Sequence, residues 1–287
     1  MPPTTLHARP PLDADALTAL DATLRATAAR AAAFIAEHAE RRHELTWEHK
    51  GPADFVSAVD RGAEAIVRDA LLAAYPDAAF LGEETYDPAA AANATLGTGL
   101  AFIVDPLDGT TNFLHGFPWY AVSIGATVAG ALVAAVVHNA ATGEVFSATH
   151  GSGAWRRTAA ASAPERIRVS DVTDPARALV GSGFPFKDQQ NLERYGRQFA
   201  AVTRATAGIR RPGSAALDLC DVACGRFDAF WELTLAPWDM AAGTLLVREA
   251  GGLVTTTDGG EVAVAHTSIC AGNPVMHRWL LDTIQHA

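Results

Sequence analysis

The sequence has little cysteine, a deficit of positive charge and no long uninterrupted apolar run. Its three cysteines are too few for a disulfide framework and are not spaced as zinc ligands. Its 22 Lys and Arg residues are outnumbered by 32 Asp and Glu, and the net charge of -10 argues against a nucleic-acid partner, because phosphate backbones attract clustered basic side chains. No apolar run approaches the ~18 residues that would cross a membrane, and no signal-peptide pattern begins the chain, so we expect a cytoplasmic protein with no membrane partner.

The composition is that of a globular protein, with 49% hydrophobic and 19% charged residues. Apolar periodicity predicts helices at residues 15–40 and 61–75, and three consecutive apolar segments between residues 120 and 149 predict an antiparallel meander. Strands and helices alternate after that point, which predicts layered sheets with helices between them. We expect a loose N-terminal arm at residues 1–14, an α+β sub-domain at residues 15–150 and a second α/β sub-domain at residues 151–287.

One segment combines acidic side chains with features that suit a bound phosphate. At residues 105–112 (DPLDGTTN) a predicted buried strand ends at Asp105, a proline fixes the turn, and Asp108 follows. The next residue is a glycine, which lets the backbone approach a ligand closely, and the first threonine opens a predicted helical turn with free N–H groups. Two carboxylates and the Leu107 carbonyl are oxygen ligands that suit a divalent cation. One loop therefore has the groups to bind both a cation and the anion that it bridges.

Two further acidic positions lie at the ends of predicted elements. Glu83 follows an apolar pair, and Asp239 stands in the first turn of a predicted helix. Taken singly, such residues are usually a solvated surface carboxylate and a helix cap, and an Asp-Gly pair is usually a turn. Taken together they predict an all-oxygen ligand set, which favours Mg²⁺, with Mn²⁺ as a substitute, over zinc or copper. So many acidic ligands suggest two or more ions, an arrangement that suits in-line hydrolysis of a phosphate ester.

Four motifs in this order and at this spacing resemble the inositol monophosphatase family, within the wider group of metal-dependent, lithium-sensitive phosphatases. They are DFVSAVD at residues 54–60, GEE at 82–84, DPLDGTTNF at 105–113 and WDMAAG at 238–243. The likeness covers nearly the whole chain after about residue 15, and the segments at 181–185 and 213–218 resemble the bacterial branch. The resemblance implies an α+β fold, a layered αβαβα sandwich of two sub-domains with the site between them, and a homodimer.

The resemblance also implies a role for each matching residue. The metal ligands, for two or three Mg²⁺ ions, would be Glu83, Asp105, the carbonyl of Leu107, Asp108 and Asp239. Thr110 and Glu83 would activate the nucleophilic water, and Asp54 would support Thr110. The backbone N–H groups of Gly109 and Thr110 would bind the phosphate. The polyol part of the substrate would contact Asp108, Gly213, Ser214, Ala215 and Glu232.

Several substrates and one non-catalytic role stay open at this point. The segment at residues 213–215 favours inositol monophosphate, but histidinol phosphate, fructose 1,6-bisphosphate and 3′,5′-bisphosphate nucleotides undergo the same chemistry. A catalytically silent, metal-binding regulatory scaffold is disfavoured because every required acidic position is present. A kinase or nucleotide hydrolase is disfavoured because the GxxxxGK[ST] motif is missing. Trp231, beside Glu232, either narrows the substrate pocket or points into the core.

Overall fold

The computed structural model describes residues 12–51, 54–87, 99–185, 189–262 and 264–287, without the side chains at residues 49–51 and 54–56. Residues 1–11 of the predicted arm therefore lie outside the described part. The described chain forms three sheets, and the two larger ones alternate with three layers of helices in the order αβαβα. The predicted α+β layered architecture is confirmed.

The helices and strands are numbered here in chain order. The α-helices are α1 (Ala14–Ala39), α2 (Ala58–Ala74), α3 (Thr110–His115), α4 (Leu192–Ala205), α5 (Ala215–Ala223), α6 (Pro237–Glu249) and α7 (Pro274–Gln285). The first strands are β1 (Glu48–Gly51), β2 (Asp54–Val56), β3 (Ala79–Gly82), β4 (Leu100–Asp108), β5 (Ala121–Val128), β6 (Ala131–Asn139) and β7 (Val145–Thr149). The later ones are β8 (Gly153–Arg157), β9 (Glu165–Ile167), β10 (Leu179–Ser182), β11 (Gly208–Arg210), β12 (Ala229–Leu235), β13 (Leu253–Thr255) and β14 (Thr267–Gly272).

The first helical layer consists of α1 and α2, and local sequence explains where both begin. The Asp13 carboxylate accepts a hydrogen bond from the Ala16 N–H at the start of α1. Apolar side chains at helical spacing, such as Leu17, Leu20 and Leu24, turn one face of α1 toward the first sheet. A capping box between Ser57 and the residue three positions on begins α2.

The first sheet has seven strands in the order β3-β4-β5-β6-β7-β8-β9 and carries most of the candidate site on β4. Its pairs are antiparallel except β3 with β4, which is parallel. All eight residues of β5 are buried, because Val122 and Ile124 pack in the core of α1 and α2 while Ala121 packs in the core of α5 and α6. The central strands are thus apolar on both faces, as expected for a sheet covered by helices on each side.

The second sheet has five strands in the order β11-β10-β12-β14-β13. Helices α5 and α6 fill the space between the two sheets, and α4 and α7 cover the outer face of the second sheet. Trp231 of β12 is fully buried in that outer layer, where its ring stacks on Tyr195 with centroids 5.9 Å apart. The adjacent residue, Glu232, faces the opposite way, as neighbours in a strand do. Of the two orientations considered for Trp231, the structure has the one that points into the core.

The first sheet extends beyond the boundary predicted at residue 150. Strands β8 and β9 add to the same sheet as β7, and the second sheet begins only at Leu179. Strand Gly153–Arg157 lies next to the last strand of the first sheet, so the residues just beyond that boundary still belong to this sheet. Within the described ranges, no helix combines the length and apolar character needed to cross a bilayer.

Candidate active site and metal centre

A cavity of about 350 Å³ lies where β4 and the start of α3 approach β12 and the first turns of α5 and α6. Nearly all of the residues that the sequence singled out line it. They are Glu83, Asp105, Leu107, Asp108, Gly109, Thr110, Gly213, Ser214, Ala215, Glu232 and Asp239. Among the described residues that line this cavity, Arg211 is the one basic side chain. The cavity is therefore strongly acidic.

The end of β4 forms a sharp turn that presents its acidic residues to the cavity. Pairing with β5 shifts register between Asp105 and Asp108, and the N–H of Leu107 donates to Asp105 Oδ1 over 2.9 Å. Gly109 has φ of +92°, and a Cβ there would stand 2.8 Å from the carbonyl oxygen of Trp119. Only glycine meets both conditions without strain. The turn then leads directly into α3 at Thr110.

Two carboxylates of this turn meet a third from a distant part of the chain. Asp105, Asp108 and Asp239 each have a ligand atom within 4.8 Å of the others. Asp239 is held in the first turn of α6, where its carboxylate accepts the N–H of Ala236 over 2.7 Å. Burial raises the pKa of Asp105 well above its usual range, and the charges of Glu83, Asp108 and Asp239 raise it further.

The repulsion among these carboxylates indicates whether the residues fit a metal ion. A buried cluster of carboxylates needs a compensating positive charge, and a divalent cation supplies it through hard oxygen donors. Glu83 is not one of the three residues within 4.8 Å of one another, but it lines the same cavity, and its charge raises the pKa of Asp105. The donor set of the described residues fits a divalent metal ion.

Thr110 has a carboxylate partner, Asp60, which the sequence analysis did not single out. The Thr110 hydroxyl lies 2.9 Å from Asp60 Oδ1 and 3.1 Å from the carbonyl oxygen of Leu107. Asp60 is 1% exposed and also accepts hydrogen bonds from the N–H and hydroxyl of Ser57. Burial raises the pKa of Asp60, which the Ser57 and Thr110 hydrogen bonds partly offset. The prediction for Asp54 falls on a side chain outside the described part and stays a prediction, while Asp60 is a described support for the Thr110 hydroxyl.

The other end of the cavity is built by the second half of the chain. Ser214 caps α5, and its hydroxyl donates to Asp108 Oδ2 over 2.6 Å, while the Ala216 N–H donates to the same oxygen over 2.8 Å. Gly213 has φ of +99°, which a side chain would strain. Gly183 leaves room for Glu232, since any side chain at that position would overlap its carboxylate.

Sequence reasoning missed several residues that the structure brings into or next to this cavity. Asp60 carried only the signal of a capping box, Ser57-x-x-Asp60, which predicts a helix start and not a site. Asn112 donates its amide to the carbonyls of Trp119 and Pro212, over 2.7 and 2.9 Å, and so joins the two halves of the chain. Arg211 lines the cavity and lies over the ring of Phe184, 5.2 Å from its centroid.

Comparison with known proteins agrees with this geometry. The model of the inositol monophosphatase family matches residues 16–287. The chain is 46% identical to an inositol-1-monophosphatase of Rhizobium meliloti over 238 residues, which cover 82% of this chain and 85% of that protein. It is 44% identical to the Nus factor SuhB of Pseudomonas aeruginosa over 268 residues, 93% of this chain and 95% of that one. The crystal structure of the extragenic suppressor protein suhB of Bartonella henselae superposes with a TM-score of 0.85 at 39% identity, covering 93% and 98% of the two chains.

Proposed function

The chain belongs to the inositol monophosphatase family, and on that basis we propose that it is a Mg²⁺-dependent phosphatase of small polyol phosphates, with inositol monophosphate as the leading substrate. The observation that carries the proposal is the meeting of three carboxylates within 4.8 Å, beside the Thr110–Asp60 hydrogen bond, in one cavity. The relative from Rhizobium meliloti, named an inositol-1-monophosphatase, supports inositol monophosphate.

In the proposed site the metal ligands are Glu83, Asp105, the carbonyl of Leu107, Asp108 and Asp239, which would hold two or three ions. All-oxygen donors favour Mg²⁺, with Mn²⁺ as a substitute. Bound divalent ions lower the pKa of a coordinated water and neutralise charge on the phosphate. These ions also explain how so acidic a cavity binds an anionic substrate.

Thr110, Asp60 and Glu83 would prepare the attacking water. The single hydroxyl hydrogen of Thr110 points to an acceptor, Asp60 Oδ1 or the Leu107 carbonyl, so its oxygen is left to accept a hydrogen bond from the water. The carboxylate of Glu83 would accept the proton that the water loses. Because Asp60 is fixed by Ser57, the orientation of the Thr110 hydroxyl is set before substrate binds.

The phosphate and the polyol would occupy opposite ends of the cavity. Backbone N–H groups of Gly109 and Thr110 would hold the phosphate beside the metal ligands. The polyol would contact Asp108, Gly213, Ser214, Ala215 and Glu232, all of which line the cavity. Histidinol phosphate, fructose 1,6-bisphosphate and 3′,5′-bisphosphate nucleotides are the competing substrates within the same chemistry, because a few contacts at the polyol end decide among them.

A second candidate function comes from the relative in Pseudomonas aeruginosa, which is named a Nus factor. A chain with only such a role has no need of a complete set of acidic residues at the site, and a silent metal-binding scaffold has no need of the Thr110–Asp60 pair beside them. The complete set here supports catalysis. We also propose a cytoplasmic homodimer that binds no nucleic acid, on the strength of the family resemblance and the net charge of -10.

The test is phosphate release by metal-stripped protein with and without Mg²⁺, on inositol 1-phosphate and the three competing substrates. We expect Mg²⁺-dependent release, fastest from inositol 1-phosphate, and inhibition by Li⁺. Asp105→Asn should lower turnover by about 100-fold or more. Asp69→Asn, an exposed aspartate on α2, is the matched control and should keep full activity. Faster release from another substrate would change the assigned substrate and keep the phosphatase function. If folded, metal-loaded protein releases phosphate from none of them, the proposed function is refuted.

A further inference from the structure

A fourth aspartate lines the cavity without a role in the metal cluster. Asp218 stands in the first turns of α5, three residues after Ala215 and four after Ser214, so that all three side chains share one helix face. All three line the cavity. The side chain at position 215 is only a methyl group, which leaves the Asp218 carboxyl uncovered on that face. Asp218 is nevertheless 2% exposed, so it lies at the bottom of the cavity and not at its mouth.

Among the described residues that line the cavity, Asp218 is the one aspartate with a buried carboxyl oxygen that accepts no hydrogen bond. Its Oδ1 is buried and has no partner among the described residues. By contrast, Asp108 accepts from Ser214, and Asp239 accepts from the backbone of α6. The indole N–H of Trp119 approaches Asp218 and partly offsets the rise of its pKa, but this indole nitrogen also lacks a partner in hydrogen-bonding geometry.

Asp218 lies on the polyol side of the site, because it shares its helix face with Ser214 and Ala215 and lines the cavity together with Glu232. Burial raises the pKa of Asp218, and the charges of Asp221, Glu232 and Asp108 raise it further. Asp108 is also part of the metal cluster, and its Oδ2 accepts a hydrogen bond from Ser214 at the start of the same helix. A donor that reaches Asp218 must therefore come from the part of a substrate that lies beyond the phosphate.

From this placement we propose that Asp218 is a specificity-determining residue whose carboxyl group binds a hydroxyl of the polyol part of the substrate. The inference deepens the proposed function and rests on it. A buried carboxyl oxygen without a donor is unfavourable, and a substrate hydroxyl that donates to it removes that cost. A hydroxyl suits the site better than an ammonium group, because burial among other acids favours the neutral carboxyl, which can also donate a hydrogen bond.

The test compares selectivity between inositol 1-phosphate and propyl phosphate, an ester with no free hydroxyl. The quantity is the ratio of their kcat/KM values at saturating Mg²⁺. Asp218→Ala should lower this ratio about tenfold through the KM of inositol 1-phosphate, and Asp218→Asn should restore most of it, since an amide oxygen also accepts from a hydroxyl. Asp221→Asn, one turn further along α5 and paired with Arg226 away from the cavity, should leave the ratio unchanged.

Other outcomes would overturn the proposal. If Asp218→Ala leaves the ratio unchanged, whether or not kcat/KM falls equally for both esters, Asp218 does not bind the polyol. The same loss of ratio in Trp119→Phe would mean that Asp218 only holds the indole in place. A larger loss on histidinol phosphate than on inositol 1-phosphate would identify an ammonium ligand instead.

A wild-type protein that releases no phosphate would refute the proposed function and not this inference. In that case calorimetric titration with inositol 1-phosphate and Ca²⁺ decides. About tenfold weaker binding by Asp218→Ala would support the hydroxyl contact, and equal binding would overturn it.

Discussion

Removing one charge from the carboxylate cluster should change the stability of the protein, in a direction that depends on whether metal is bound. Replacing Asp105 by Asn keeps the oxygen that accepts the Leu107 N–H and removes one negative charge from the buried cluster. Two carboxylate charges at the 4.8 Å limit of the cluster repel by about 3.5 kcal/mol at an effective dielectric constant near 20. The raised pKa of Asp105 means that protonation already relieves part of this repulsion in the wild type.

The expected net gain from Asp105→Asn in EDTA is therefore about 1–3 kcal/mol, or roughly 2–6 °C in Tm for a chain of this size. At Mg²⁺ near 1,000 times its Kd the order should reverse, because the ion then stabilises the folded wild type by about 4.1 kcal/mol and the variant loses most of that gain.

The assay is thermal unfolding of both proteins in EDTA and in Mg²⁺, followed by circular dichroism. Asp69→Asn removes the same charge from an exposed position and should show neither the gain nor the reversal. If Asp105→Asn is less stable than the wild type in EDTA, the reasoning is refuted, because the cluster would then be stable without a cation.

The remaining two predictions concern the water-activating pair and a buried histidine. Asp60→Asn and Thr110→Val should each lower kcat about 100-fold. The double variant should lose little more activity than either single variant, because the two groups act as a unit. If steady-state kinetics show that the two losses multiply in the double variant, the two groups act separately. Burial lowers the pKa of His138 to about 4, below its unfolded value, so its contribution to the free energy of unfolding is present above about pH 6.5 and is lost as pH falls toward 4, by at most about 3 kcal/mol. Urea titrations of His138→Leu across that range should show a correspondingly shallower loss than the wild type, and parallel curves would contradict this assignment.

Periodicity predicted the long elements well because packing reinforces the local pattern. The predicted helix at residues 15–40 appears as Ala14–Ala39, and the predicted meander appears as β5, β6 and β7. Elements near the edge of a sheet were harder to predict from the sequence. In Gly153–Arg157, Trp155 is about one-third exposed and the neighbouring glycines resemble a turn, so the strand is visible only through its pairing with β7.

The site was predictable where residue type alone carries the chemistry. Carboxylates that end a buried strand or open a helix have few structural reasons to gather, so Asp105, Asp108 and Asp239 could be grouped before any distance was known. Asp60 could not, because its contact with Thr110 spans 50 positions and its local pattern is an ordinary helix cap. Asp218 has no distinguishing local pattern at all, since only the fold shows that its helix face looks into the cavity.

Asp108 connects the metal-binding end of the cavity with the polyol end. This carboxylate comes from β4, in the first half of the chain, yet its Oδ2 accepts hydrogen bonds from Ser214 and Ala216 at the start of α5. The Asn112 amide holds the same junction by donating to the carbonyl of Pro212. A change at the polyol end that moves the start of α5 must therefore also turn a carboxylate of the metal cluster. In the proposed function, metal affinity and polyol recognition are consequently linked, and a substitution in α5 must be tested for both before it is assigned to either.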